Sequence, residues 1–277
     1  MSAPRPFLAA AILLIVAMIV PQPAAAQFFP QTYQATGNLQ VVVGGVANMN
    51  LPAMGNISLG SIPLGTIKKA YLYATQTNNT LGLSATFGGL PLGLAAPYAT
   101  EALLITISSY RWDVTAQVIP GVTNYSVSFL DGMGMHTPVP GAALVVVWED
   151  PVEPTRTVTI IDGVKQVGES GVDNESMTFT GLPPGNTAVW TFTTDDDAST
   201  GESIVYNAAA IGGPLVGNLG LNASVMQMSG TSAAGPNTLS ISTVSDHFSW
   251  VMGATAVDIP PVSNEERTWG GVKALYR

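Results

Sequence analysis

The chain contains no cysteine in 277 residues. Disulfide frameworks, thiol nucleophiles and thiolate metal sites are therefore excluded. Histidine is almost as scarce: His136 and His247 are the only two, far apart in the chain. Charge is sparse as well. Only 10 % of residues are Asp, Glu, Lys or Arg, against about a quarter in an ordinary globular domain. The balance is acidic, with 9 basic and 18 acidic residues, so nucleic acid and anionic membrane surfaces lack the basic footprint they require. Helical signal is missing too. No stretch keeps an apolar period of 3.6 for more than about 12 residues.

What is present is apolar, small and hydroxylated. Hydrophobic residues make up 47 % of the chain, with 29 glycines and 20 prolines. Disorder pairs low hydrophobicity with high charge, so this composition indicates a folded β-rich body. Its surface would be neutral and rich in Ser, Thr and Asn, suited to water or to packing against copies of itself.

The first 26 residues read as a secretory signal peptide. Arg5 is a minimal basic region, Phe7 to Val20 is apolar, and Pro21 and Pro23 precede Ala24-Ala25-Ala26 at the expected cleavage site. The apolar stretch is shorter than the roughly 20 residues of a membrane span. The expected product starts at Gln27, is secreted or held at the cell surface, and has no membrane span.

Strand signals then recur. Gly141 to Gly163 forms the centre, where Ala142 to Trp148 is a continuous apolar run stopped by Glu149-Asp150-Pro151. Such a run indicates a strand covered on both faces. Thr155 to Ile161 follows, closed by Asp162-Gly163, and the pair reads as a central hairpin. Asn38 to Val43 reads as the first strand, and Leu51 to Gly65 as turns and short edge strands. In Lys69 to Thr75, Tyr71 and Tyr73 share one face, with Leu72 and Ala74 on the other. Tyr125, Val127 and Phe129 alternate with Ser126 and Ser128. Further strands are expected at Leu83 to Phe87, Thr100 to Ser108, Ser176 to Thr180, Ala188 to Thr194, Glu202 to Ala210, Leu221 to Met228, Thr238 to Val244 and Phe248 to Val257. Many short strands at regular spacing predict an all-β, antiparallel, jelly-roll-like sandwich. No internal sequence repeat stands out. The expected organisation is a signal peptide over 1–26, a β-sandwich over 27–259 and a C-terminal tail over 260–277, which reads as a frayed end or, through Trp269 and Tyr276, as an attachment or sorting segment.

Three segments together carry a resemblance: Lys69–Thr75 with its paired tyrosines, Trp112-Asp113-Val114-Thr115, and Gly141–Gly163 with Leu-Val-Val-Val-Trp-Glu-Asp-Pro. They resemble an uncharacterised family of β-sandwich domains in secreted and surface proteins of archaea and bacteria. The aromatic-Asp-Val-Thr turn is also similar to jelly rolls of the galactose-binding type, although Gly121 and Asn124 are spaced differently from that pattern. The resemblance implies the fold and an extracellular setting, and carries no catalytic residue. Locally, Asp113 and Thr115 can bond nearby backbone N–H groups, with Trp112 packed beneath.

Candidate chemistry is limited. Asp195, Asp197 and Ser199 alternate like calcium ligands, with Gly201 to turn and Glu202 beyond. The glycine sits one position late for an EF-hand, so the alternative is a solvated acidic turn. Asp173, Asn174 and Glu175 form a weaker oxygen-rich loop. Gly230-Thr231-Ser232 resembles a subtilisin-type nucleophile loop, but the partner motifs of a triad are absent. Tyr71, Tyr73, Trp112, Trp148, Trp190 and Trp250 could stack on sugars or fill a core. Asn56, Asn78, Asn124, Asn174 and Asn222 begin glycosylation sequons. The reading is a non-catalytic, secreted or cell-surface structural or interaction module. Its alternative is a carbohydrate-binding domain assisted by calcium. Partners would be a cell-surface glycan, a protein or a second copy.

Overall fold

A computed structural model describes residues 29–49, 51–60, 65–78, 80–103, 105–168, 173–195, 201–215, 223–244 and 247–260. The expected signal peptide over 1–26, the tail beyond Pro260, Asn222, Asp197 and Ser199 lie outside these residues.

The described residues are all-β. The strands are β1 (Gln31–Gly37), β2 (Leu39–Met49), β3 (Met54–Ser58), β4 (Thr66–Thr77), β5 (Leu83–Phe87), β6 (Leu90–Ala95), β7 (Ala99–Ala102), β8 (Thr106–Asp113) and β9 (Asn124–Asp131). They continue as β10 (Val139–Glu149), β11 (Arg156–Val167), β12 (Asn174–Leu182), β13 (Gly185–Thr194), β14 (Ser203–Tyr206), β15 (Ala209–Gly212), β16 (Ala223–Ser232), β17 (Gly235–Ser242) and β18 (Phe248–Asp258). All pairs are antiparallel.

The sandwich expected over 27–259 is built as two jelly rolls. In the first, the sheet β2-β10-β4-β8 faces the sheet β3-β9-β5-β6. In the second, β11-β18-β13-β16 faces β12-β17-β14-β15. Replacing β2–β6 by β11–β15 and β8–β10 by β16–β18 converts one order into the other. Two edge strands break the copy. β7 extends β8 in the first roll, and β1 extends β11 in the second.

The four sheets form four layers with three cores. Ile57, Leu72, Phe87, Phe129 and Leu144 fill the first roll. Phe179, Val189, Leu239, Phe248 and Trp250 fill the second. The middle core lies between the two five-stranded sheets and takes Tyr71, Tyr73, Val145 and Val147 from one, Ile160, Trp190, Phe192 and Ala254 from the other. This explains the unbroken apolar run in β10: Leu144 and Val146 face the first core, Val145 and Val147 the middle one. Contact here is close. A β-carbon on Gly141 would stand 2.7 Å from that of Ala223 and 3.0 Å from Thr194 Cγ2.

The outer faces account for the hydroxyl-rich composition. Asn56 pairs across to Ser126 and Thr86 to Ser128 on one outer sheet. Ser176 pairs to Ser240 and Thr178 to Thr238 on the other. Alternation puts these residues opposite the buried Val127, Phe129, Met177 and Leu239.

The alternating faces of β4 and β9 agree with the sequence reading, and so does the aromatic-Asp-Val-Thr turn. Asp113 Oδ1 accepts the Thr115 N–H at 3.1 Å, and Thr115 Oγ1 accepts the Ala70 N–H at 3.0 Å. Other expectations need correction. β10 and β11 do not form a hairpin. They are in different sheets, because each is an inner strand that takes both its neighbours from elsewhere: β2 and β4 for β10, β1 and β18 for β11. Asp162-Gly163 does not close β11 but lies inside it. β1 precedes the expected first strand. Thr100 to Ser108 contains two strands, β7 and β8. Glu202 to Ala210 also divides, because Asn207 and Ala208 both take positive φ (49° and 66°) and turn β14 into β15.

One polar cluster is sealed into the join. Asp162 is fully buried. Its Oδ2 accepts from Tyr73 Oη at 2.6 Å, Arg111 Nη1 at 2.8 Å and Thr32 Oγ1 at 3.1 Å. The Arg111 guanidinium lies over the Tyr98 and Tyr71 rings, at 3.9 and 4.9 Å from their centroids. Burial, then the negative charge of Asp162, raises the Tyr98 phenol to about 12. Next to it Lys165 bonds Glu101 at 2.9 Å, and Glu101 also takes the Gln166 N–H. Both rolls supply these partners: Tyr71, Tyr73, Tyr98, Glu101 and Arg111 come from the first, Thr32, Asp162, Lys165 and Gln166 from the second.

A buried ion pair is poor evidence of net stability, but removing one member strands the other. Asp162→Ala is expected to lower unfolding free energy by about 3–5 kcal/mol in urea titrations. The surface change Val152→Ser, at an 86 % exposed position, should stay within about 0.5 kcal/mol of the parent. Equal midpoints for parent and Asp162→Ala would show that the cluster does not hold the rolls together.

Candidate functional site

The acidic-loop residues divide. Asp195 ends β13 with positive φ (56°), and Glu202 stands just before β14. Glu202 is buried, with its Oε2 accepting the Leu215 N–H at 3.1 Å. Asp195 is 3.5 Å from Thr77 Oγ1 of the first roll. Burial pushes its carboxyl up to about 6, opposed by the imidazole of His247 and by the Thr77 and Ser249 hydroxyls. Thr75 and Thr194 bond side by side at 3.1 Å. Asp195 therefore belongs to a second polar seam between the rolls.

The other candidates are also placed. Ser232 is buried, with Oγ 2.7 Å from both Thr187 Oγ1 and Tyr206 Oη. It ties β13, β14 and β16 together. His136 pairs in an isolated bridge with Leu130. Lys165 is 3.4 Å from Glu175. The six candidate aromatics are all buried, none more than 7 % exposed, so they fill cores. Among the described residues no group of three or more His, Asp or Glu has an arrangement that could hold a metal ion, and no helix is long and apolar enough to cross a membrane.

A groove between the rolls is a further candidate, and sequence reasoning did not single it out. It is a groove of about 460 Å³ where β2 crosses the inner face of the β11-β18-β13-β16 sheet. Ala188, Trp190 and Ala256 make its apolar floor, Val41 its wall, and Asn186, Gln227 and Ser229 its polar rim. Arg156 and Asp258 close one end. Arg156 Nε bonds Asp258 Oδ1 at 2.7 Å, and its Nη1 bonds Leu39 O at 3.2 Å and Glu153 Oε2 at 3.4 Å. Gln40 Nε2 also donates to Glu153. The residues come from five strands between Gln40 and Asp258, and their types are ordinary in strands. Only the Trp190 side chain carried any signal.

No family model matches the chain, and neither does any curated protein. Solved structures match only distantly. A conserved protein of unknown function from Pseudomonas aeruginosa PAO1 is 9 % identical, with 84 % of this chain and 96 % of that one aligned at a TM-score of 0.33. A Paenibacillus xanthan lyase is 13 % identical over 87 % of this chain and 26 % of its own, at a TM-score of 0.27. The major capsid protein P2 of bacteriophage PM2 is 7 % identical over 80 % and 98 %, at a TM-score of 0.23. Likeness at this level carries no argument about function.

The buried Asp195 has a pH consequence. A carboxyl whose folded pKa lies near 6, above its ordinary 3.8, binds more protons folded than unfolded between those values. Its contribution to stability therefore falls as pH rises from about 4 to 6. Asp195→Asn removes that fall. Relative to the parent it should gain up to about 3 kcal/mol between pH 4 and pH 7, read from urea unfolding at each pH. A constant difference would place the carboxyl in water.

Proposed function

We propose that this chain is a secreted or cell-surface structural and interaction module without catalytic activity, and that the groove beside β2 is its binding surface. The observation that carries this reading is the state of the charges there. Arg156 is committed to Asp258 and Glu153, and Gln40 to Glu153. What faces the open groove is amide, hydroxyl and hydrocarbon, an inventory that binds neutral groups. General acid–base chemistry needs a titratable group within reach of a reacting atom, and this lining offers paired charges instead. The acidic composition and the uncharged outer faces fit an extracellular setting.

A second reading is a neutral glycan in the same groove, favoured by the amides of Asn186 and Gln227 that line it. Amides match hydroxyls as both donors and acceptors. Calcium assistance through Asp195, Asp197, Ser199 and Glu202 belongs to that reading.

The test applies residues 27–277 to an array of neutral and acidic glycans, with calcium and then with a chelator, and follows release of reducing ends from soluble polysaccharides. The leading reading expects no release. Glycan capture lost in Gln227→Ala would establish the second reading, and its loss in chelator would bring in the acidic loop. Release of reducing ends would overturn the non-catalytic assignment.

A further inference from the structure

The two rolls share one topology, so an edge strand on one predicts where its mate would stand on the other. β1 runs antiparallel along β11, with Gly37 opposite Arg156, Ala35 opposite Val158 and Tyr33 opposite Ile160. The counterpart of β11 is β2. Arg156 and Val158 pair with Asp258 and Ala256 of β18, as Leu39 and Val41 pair with Glu149 and Val147 of β10. The mate of β1 would therefore run along the outer edge of β2, opposite Leu39, Val41 and Val43. β2 is the terminal strand of its sheet, paired on one side only among the described residues.

The Trp190 groove lies beneath that edge. The floor follows the same symmetry. Trp190 pairs with Ala254 and Gln227 as Tyr71 pairs with Val145 and Asp113, so Tyr71 is the counterpart of Trp190. On the first roll this floor is covered, and the cover is β1. Tyr33 and Ala35 pack into the middle core. Burial raises the Tyr33 phenol, with Lys69, Tyr71 and Glu149 as the charges and phenol around it. On the second roll nothing among the described residues stands in that place, and the groove is the space left.

We propose that the outer edge of β2 accepts an extended, uncharged peptide strand from a partner polypeptide, laid over Trp190 as β1 is laid over Tyr71. The backbone groups of β2 would supply ladder hydrogen bonds, and the groove would receive alternate side chains, as in strand addition to a sheet edge. The template for the partner is β1 itself. Tyr33 and Ala35 face inward, while Gln34 and Thr36 are exposed. Because Arg156, Glu153 and Asp258 are already paired, the groove selects a neutral strand. This inference rests on reading the chain as an interaction module.

The probe is a blocked peptide of the β1 sequence, Gln-Thr-Tyr-Gln-Ala-Thr-Gly, added to residues 27–277. Hydrogen exchange should slow by about tenfold at saturation over Leu39–Val43. The edge of β16, terminal among the described residues and the counterpart of the edge that β7 takes on β8, should not respond. Gln227→Arg, an exposed change that fills the groove without touching a core, should weaken the peptide by about tenfold and leave the melting temperature unchanged. No slowing at millimolar peptide, or equal slowing along β16, would overturn the proposal. So would tight peptide binding seen only after truncation at Pro260, which would assign the edge to this chain's own C-terminal residues. If the peptide fails while no polysaccharide is cleaved, the inference falls and the module reading stands. Polysaccharide cleavage would remove the reading itself.

Discussion

The structure depends on two inner sheets that cannot face water. β4, β10, β13 and β18 are buried on both faces, so neither roll is complete alone. Each presents Tyr71, Tyr73, Val145 and Val147, or their counterparts Trp190, Phe192, Ala254 and Ala256, to the other. Burying apolar area at about 25 cal/mol per Å² is the drive. The glycine at 141 and the alanine at 223 set how near the sheets come.

Polar groups inside that join fix its register. Apolar packing alone would tolerate a sliding interface, whereas the Asp162 carboxylate must meet Tyr73, Arg111 and Thr32 together. Thr75 with Thr194, and Thr77 with Asp195, repeat this at another point of the seam. An internal two-fold of this kind behaves like an isologous dimer interface carried in one chain. β2 meets β16 as β11 meets β8. Such symmetry makes exceptions informative, and β1 is an exception.

The function suggested follows from what the packing leaves over. With the large aromatics consumed by three cores, the surface keeps hydroxyls, amides, scattered aliphatic and methionine side chains and a few self-paired charges. The groove exists because β1 has one position where the symmetry provides two. A surface of this type suits recognition of shape and backbone rather than charge, in keeping with an acidic chain that has few ionic contacts to offer.

Much of this was legible in the sequence. The period of two in Lys-Ala-Tyr-Leu-Tyr-Ala-Thr assigned the two faces of β4, and the same rule assigned Tyr125, Val127 and Phe129 of β9. The continuous run of β10 announced double burial. Asp113 and Thr115 announced their turn, because the bonds between them span two residues. Local stereochemistry and alternation determine such features, so the sequence alone determined the fold class, most of the strands and the faces of those with a clear alternation, but not β1, β6 or the divisions of β7 from β8 and β14 from β15. Only the tertiary structure decided which strands are neighbours. β10 and β11 part company because each inner strand must satisfy backbone groups on both edges, and that choice depends on strands about a hundred residues away. Asp162 looked like a turn residue because its partners, Tyr73 and Arg111, are distant in sequence. The groove was invisible for the same reason: Val41, Trp190, Gln227 and Ala256 become a site only when four strands and the edge of a fifth are brought together.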